Sequence, residues 1–293
     1  MAIDTQFARF LIACHRDGVN FQRTLTLGRL NYYLGVKETR KLLRWGGMDE
    51  SRCGKLLDYD SSRYAETFLE TLGAERVDSL DASGFESATV VHDLNLPVPE
   101  SLKGSFDAVC DAGTIEHAMN FPVVIRNCLG MVKVGGHLIL GSPANNFFGH
   151  GFYQFSPELW FRVLSPIHGF EMRRMVAVEY SPCPRWFEVA DPAVLRDRVA
   201  MTNRYPVLLM VVARKTAEVP VLQTFPQQSD YVPRWEGQPD AARRRQALEA
   251  RLRRLLLETF PTLARFLENY YRCSWFNRKY SLRNRQSFKP VKR

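Results

Sequence analysis

Three aspartates stand at the ends of apolar runs: Asp81 after ERVDSL, Asp93 after ATVVH and Asp111 after FDAVC. A carboxylate at the mouth of a buried strand can accept hydrogen bonds from the hydroxyl or amino groups of a ligand. Open α/β sheets bind their ligands across those strand ends. One such aspartate is ordinary turn chemistry, but three at successive strand ends point to a binding edge. Two histidines add proton chemistry. His117 follows Glu116 in the loop after Asp111-Ala112-Gly113, and His150 sits between Gly149 and Gly151, just before Tyr153, Gln154 and Phe155. A neutral imidazole takes a hydroxyl proton near pH 7. His150 and His117 are therefore the candidate catalytic bases, with Glu116 a third. The plainer reading of His150 is a loop histidine bonded to backbone. No His, Cys, Asp or Glu set shows metal-ligand spacing, so no metal is expected. The six cysteines form no Cys-x-x-Cys pair.

These groups need elements to hold them. Apolar spacing predicts a helix within residues 1–20, with Phe7, Phe10, Leu11 and Cys14 on one face. A strand over 22–28, helices over 37–45 and 61–72, and strands over 75–80 and 88–92 follow. Next come a strand over 106–110, a helix over 121–131 closed by Gly135-Gly136, and a strand over 137–141. Ser156-Pro157-Glu158 reads as a helix start. Strands over 170–180 and 206–214 end the series. Strands alternating with helices imply an α/β fold with a mainly parallel sheet covered by helices on both faces. Only 11 residues separate Asp81 from Asp93, so a loop is expected there in place of a helix. The long segment 36–73 is expected to cap the binding edge. Phe152, Tyr153, Phe155 and Trp160 form either an aromatic wall for a ligand or part of the core.

Charge divides the chain. Residues 241–293 hold 15 Lys and Arg against three acids, a net +12, while the whole chain carries +9. The body is thus mildly acidic at −3, and any affinity for polyanions belongs to the tail. The Pro/Gln-rich stretch 220–240 reads as a linker between an α/β domain, 1–219, and a basic helical tail, 241–293. In the tail Leu248, Leu252, Leu255 and Leu256 fall at helical spacing. That stripe is expected to pack on the body or to lie on an anionic membrane surface. Aromatic residues interleaved with Arg and Lys after Asn269 offer RNA as a further partner. Residues 277–293 are expected to lack regular structure. No apolar run is long enough for a membrane helix, and no signal peptide is evident at the start. A cytoplasmic location with reduced thiols is the resulting expectation.

The segment FDAVCDAGTIEHAMNFPVVIRNCLGMVKVGGHLILGSPANN resembles the second half of class I S-adenosylmethionine-dependent methyltransferases. Phe106-Asp107 opens strand four, and Glu116-His117 closes its loop. A helix, Gly135-Gly136, strand five and Ser142-Pro143 follow in order. The resemblance extends over about residues 20–215. It implies a Rossmann-like sheet of seven strands and S-adenosyl-L-methionine as cofactor. On that resemblance Asp81 receives the ribose hydroxyls, with Asp78 as second choice, and Asp93 receives the adenine amine. Leu94 and Asn95 line the ring, and Asp111, Ala112 and Gly113 approach the sulfonium. The sequence departs from the family at the first loop, where Gly28 is the one matching glycine and Arg29 and Asn31 stand where small residues are usual. Either Arg29 holds the carboxylate end of the cofactor, or cofactor affinity is lost. The implied activity is methyl transfer to oxygen or nitrogen of a small-molecule or sugar-containing acceptor. The alternatives are a non-catalytic scaffold or binding subunit of the same fold, and an RNA-associated protein acting through its tail.

Overall fold

The computed structural model describes residues 2–48, 53–57, 63–231, 240–273 and 278–291. The chain opens with β1 (Ala2–Ile3) and α1 (Thr5–Arg16), whose first turn is capped by Asp4, its carboxylate accepting from the Phe7 N–H at 2.8 Å. β2 (Arg23–Leu27), β3 (Asn31–Tyr32), α2 (Val36–Gly46), α3 (Ala65–Thr71), β4 (Arg76–Asp81) and β5 (Val90–Val91) follow. The middle of the chain forms β6 (Phe106–Ala112), α4 (Phe121–Met131), β7 (Val132–Pro143) and α5 (Pro157–Val163). Then come β8 (Phe170–Glu179), β9 (Arg185–Val189), α6 (Pro192–Leu195) and β10 (Val207–Lys215). The tail contributes α7 (Asp240–Thr259), α8 (Pro261–Cys273) and β11 (Phe288–Pro290).

One sheet runs β11-β9-β8-β10-β7-β6-β2-β4-β5. β5, β4, β2, β6 and β7 pair in parallel; β10 is antiparallel to both β7 and β8, and β9 and β11 extend the sheet in antiparallel pairs. The α/β fold and its mainly parallel sheet agree with expectation, but among the described residues the sheet has nine strands where seven were expected. The two extra are β9, which mixes charged and aromatic residues (RWFEV), and β11, in a stretch expected to lack regular structure. Phe288 of β11 is 1% exposed and closes the core against Phe187 and Val189 of β9.

Period-two alternation splits the sheet's side chains between two cores. Val109, Leu138, Leu140, Ala177, Leu209 and Val211 face α4 and α5. Ala108, Cys110, Ile139, Val176, Val178, Met210 and Val212 face α1, α2 and α3. Leu42, Leu43, Phe68 and Leu69 are buried in that second core, so α2 and α3 cover a face of the sheet where a cap over its edge was expected. The loop between Asp81 and Asp93 is short, as expected. Gly135-Gly136 lies within β7, after α4 has ended at Met131. The β6–β7 register slips there, and a Cβ on Gly136 would lie 2.8 Å from the Asp107 carbonyl oxygen.

The leucine stripe of α7 does not pack on the body: Leu248, Leu252, Leu255 and Leu256 are all exposed. In the stretch expected to be a linker, Leu222 is buried and Asp230 pairs with Arg198 at 2.8 Å. No helix among the described residues is long and apolar enough to cross a membrane. If β11 is an integral strand, Phe288→Ala destabilises the protein by about 3 kcal/mol in urea unfolding. A loosely attached tail would leave stability unchanged.

Candidate functional site

From β2 the chain moves to β4 and β5 on one side, then crosses back to place β6 on the other side of β2. The sheet therefore has its switch point between β2 and β6, and the carboxyl edge there is where such folds bind ligands. The Gly28 N–H donates to the Leu80 carbonyl at 2.7 Å, and the Thr114 hydroxyl donates to the Leu27 carbonyl at 2.5 Å. The turns after β2, β4 and β6 are thus bound together on one rim. Gly28 has φ +73, a conformation that suits glycine.

Around this rim the sequence-predicted residues divide into two groups. Asp81 ends β4, and its carboxylate accepts the Ser83 N–H at 3.1 Å. Asp78 lies lower in β4, paired with Arg76 at 3.0 Å, and does not reach the rim. The Asp93 carboxylate accepts from the Asn95 N–H and side-chain amide at 2.9 and 2.8 Å, and these bonds lower its pKa. Asn95 is in turn bonded to Asn120, at 2.8 Å from the Asn120 N–H, and Leu94 is enclosed in the core. Arg29 is committed: it pairs with Glu66 at 2.8 Å, donates to the Glu86 carbonyl at 2.8 Å and lies 4.0 Å over the Tyr64 ring. Tyr32 is buried beneath, stacked on Phe68.

Asp111, Ala112 and Gly113 lead into the second group. Asp111 is 0% exposed; one carboxylate oxygen accepts the Thr114 N–H at 2.9 Å and the other has no partner. Glu116 is also 0% exposed, and its Oε2 is likewise unpartnered. Its Oε1 lies 3.0 Å from His150 Nε2 and 4.0 Å from His117 Nε2. The Glu116–His150 contact depends on the loop after β7. There the Phe152 N–H donates to the Glu116 carbonyl at 2.7 Å, and Gly151, at φ +67, has no room for a Cβ, which would sit 2.9 Å from that oxygen. His117 and His150 meet edge to face at 5.0 Å. Phe155 and Trp160 are core residues, with the Trp160 indole N–H donating to Ser142 at 3.0 Å. Phe148 and Phe152 face solvent.

Burial and the nearby Glu116 raise the pKa of Asp111, and burial raises that of Glu116. Burial and the neighbouring His150 lower that of His117. The contrast with Asp107 is informative. That buried carboxylate accepts from Asn20 at 3.0 Å and the Arg23 N–H at 3.1 Å, and pairs with Lys133. Its role is structural, whereas Asp111 and Glu116 lie together with no cation between them among the described residues. Contrary to the expectation of no metal cluster, the ligating atoms of Glu116, His117 and His150 fall within 4.8 Å of one another and could hold a metal ion. The 32 residues between the two histidines hid that grouping. An acid whose pKa is raised on folding binds more protons folded than unfolded, so native stability falls as pH rises above the ordinary carboxylate range. Asp111→Asn is expected to reduce the loss between pH 5 and pH 8 by about 1–2 kcal/mol, as read by urea unfolding.

No protein-family model matches the sequence, and no curated protein matches it. Similar solved structures include the trans-methyltransferase CalH in complex with SAH, at 12% identity, TM-score 0.38 and 72% of this chain covered. This chain spans 57% of the length of CalH. A second is the 1,6-didemethyltoxoflavin-N1-methyltransferase of Burkholderia thailandensis, at 10% identity and TM-score 0.40, covering 73% of this chain and 78% of that one. A third is the branched-chain polyamine synthase of Thermus thermophilus, at 14% identity and TM-score 0.38, covering 77% and 61%. Likenesses at this level place no activity and no site residue on the present chain.

Proposed function

We propose that this protein transfers a methyl group from S-adenosyl-L-methionine to oxygen or nitrogen of a small-molecule or sugar-containing acceptor. The observation that carries the reading is the buried carboxylate pair Asp111 and Glu116 at the switch-point edge, each with one oxygen lacking a hydrogen-bond partner, beside His150. Two adjacent buried acids favour a cation between them, and the cofactor supplies, when bound, a methyl group on a sulfonium cation. Asp111, Ala112 and Gly113 would lie against that charge. Asp81 has a carboxylate oxygen left for the ribose hydroxyls. Asp93 and Asn95, held in a fixed turn, would meet the adenine amine, with Leu94 behind them. Gly28 would let the backbone approach closely, and Arg29 would serve only by exchanging Glu66 for the carboxylate of the ligand.

On the acceptor side, Glu116 orients the His150 imidazole, and His150 takes the acceptor's proton, with His117 packed against it. The committed state of Arg29 favours a second reading, a non-catalytic binding subunit of this fold, which predicts no affinity for the cofactor. For the tail, the solvent-facing leucines of α7 and its arginines support contact with an anionic membrane surface, with RNA as the rival partner.

Calorimetry with S-adenosylmethionine and its product S-adenosylhomocysteine, which lacks the sulfonium charge, tests the central claim. The cationic form should bind more tightly, the ratio should grow as pH rises and the acids ionise, and Asp111→Asn should abolish that growth. Asp81→Ala should weaken both ligands about tenfold, the loss of a charge-assisted hydrogen bond. His150→Ala should leave both affinities unchanged while lowering transfer by about 10²–10⁴. Absence of binding at millimolar ligand would leave the scaffold reading. In the tail, deletion of residues 240–273 should abolish flotation with anionic vesicles.

A further inference from the structure

The carboxyl edge continues past β7 to a second feature. A cavity of about 490 Å³ opens between the end of β8, the start of β9, the approach to β10 and the C-terminal segment. Arg185, Arg204, Arg283 and Arg285 line it, drawn from three separate parts of the chain. The last two arrive because β11 pairs with β9 and returns the tail to the sheet edge. Among the described residues Glu179 is the one acid in the lining, and it already pairs with Arg185 at 2.5 Å and accepts from Asn203 at 3.1 Å. Arginines gathered along one concavity raise its potential for an anion. The floor is apolar, formed by Phe187 and Leu282.

The cavity is physically joined to the loop that bears His150. Asn145 donates to Asn203 at 2.7 Å, and Asn146 donates to the Asn203 and Tyr205 carbonyls at 3.1 and 3.0 Å. Asn203 and Tyr205 line the cavity, and His150 follows four residues after Asn146. β6 and β8 are separated by β7 and β10, three strand spacings or about 14 Å.

We propose that this arginine cavity binds an oxyanion, a phosphate or carboxylate group, and that the group belongs to the methyl acceptor. The acceptor is then an elongated anion, with an apolar or sugar-like middle, reaching from the arginines to His150. The assignment of the anion to an acceptor rests on the methyl-transfer reading; the anion site itself does not. Planar guanidinium groups suit the paired oxygens of either group.

The test uses the full chain, saturated with S-adenosylhomocysteine, at fixed ionic strength. Inorganic pyrophosphate and citrate are titrated calorimetrically as probes of the two chemistries. A single-stranded RNA 20-mer serves as the polyanion arm. Saturable binding of pyrophosphate or citrate, weakened at least tenfold in Arg204→Gln/Arg285→Gln and retained in Arg173→Gln, supports the proposal and identifies the preferred oxyanion. Equal weak binding in all three proteins overturns it. So does RNA binding that depends on the same two arginines while both small probes fail. Thermal unfolding and homocysteine-product affinity unchanged in the double variant confirm an intact fold. Loss of cofactor binding in the parent protein would overturn the methyl-transfer reading and leave the anion result standing.

Discussion

Two buried carboxylates with no lysine or arginine paired to them among the described residues set the electrical state of the binding edge. Asp111 is held at the end of a central strand whose neighbours on both sides are fixed by parallel pairing, so it cannot retreat to solvent. Glu116 is fixed by the backbone of the β7 loop, which packs on its carbonyl. Burying both has a desolvation cost that grows if both ionise. The acids therefore favour protons or a positive ligand, and the surrounding geometry follows from that need. Gly113 and Gly151 allow the backbone to close on Glu116, and a Cβ at either position would crowd it.

The layered architecture makes this arrangement possible. The two cores hold alternate side chains of β6, β7, β8 and β10, which keeps those strands in register and the carboxyl ends of β6, β7 and β8 at one edge. Polar groups then gather at the edge without being taken into the core. At the opposite, amino end, Asp107 shows the contrasting outcome: a buried acid fully supplied with partners, which ties β6 to Asn20, Arg23 and Lys133.

Much of the sheet was legible in the sequence because buried parallel strands are apolar runs with sharp ends, as in FDAVC and HLILG. The strand-end aspartates were legible for the same reason. β9 and β11 were not, because RWFEV and FKP are short, carry charges and find partners far along the chain. Gly135-Gly136 read as a helix stop, yet the pair serves a register slip that local sequence does not disclose. Single-residue readings also missed two pairings. Arg29 looked available for a ligand, but Glu66 and Glu86, 37 and 57 residues away, engage it. Glu116 and His150 lie 34 residues apart and meet only because a glycine-flanked loop folds back from β7.

β11 changes what the basic tail is. The chain is pinned before α7 by Arg198–Asp230 and after α8 by Lys279–Asp197 and the β9–β11 pairing. The helical pair is thus an excursion tethered at both feet and not a free end. A proteolytic nick between Asp240 and Cys273 would leave two polypeptides that remain clasped through the sheet, much as a split reporter stays assembled after its linker is cut.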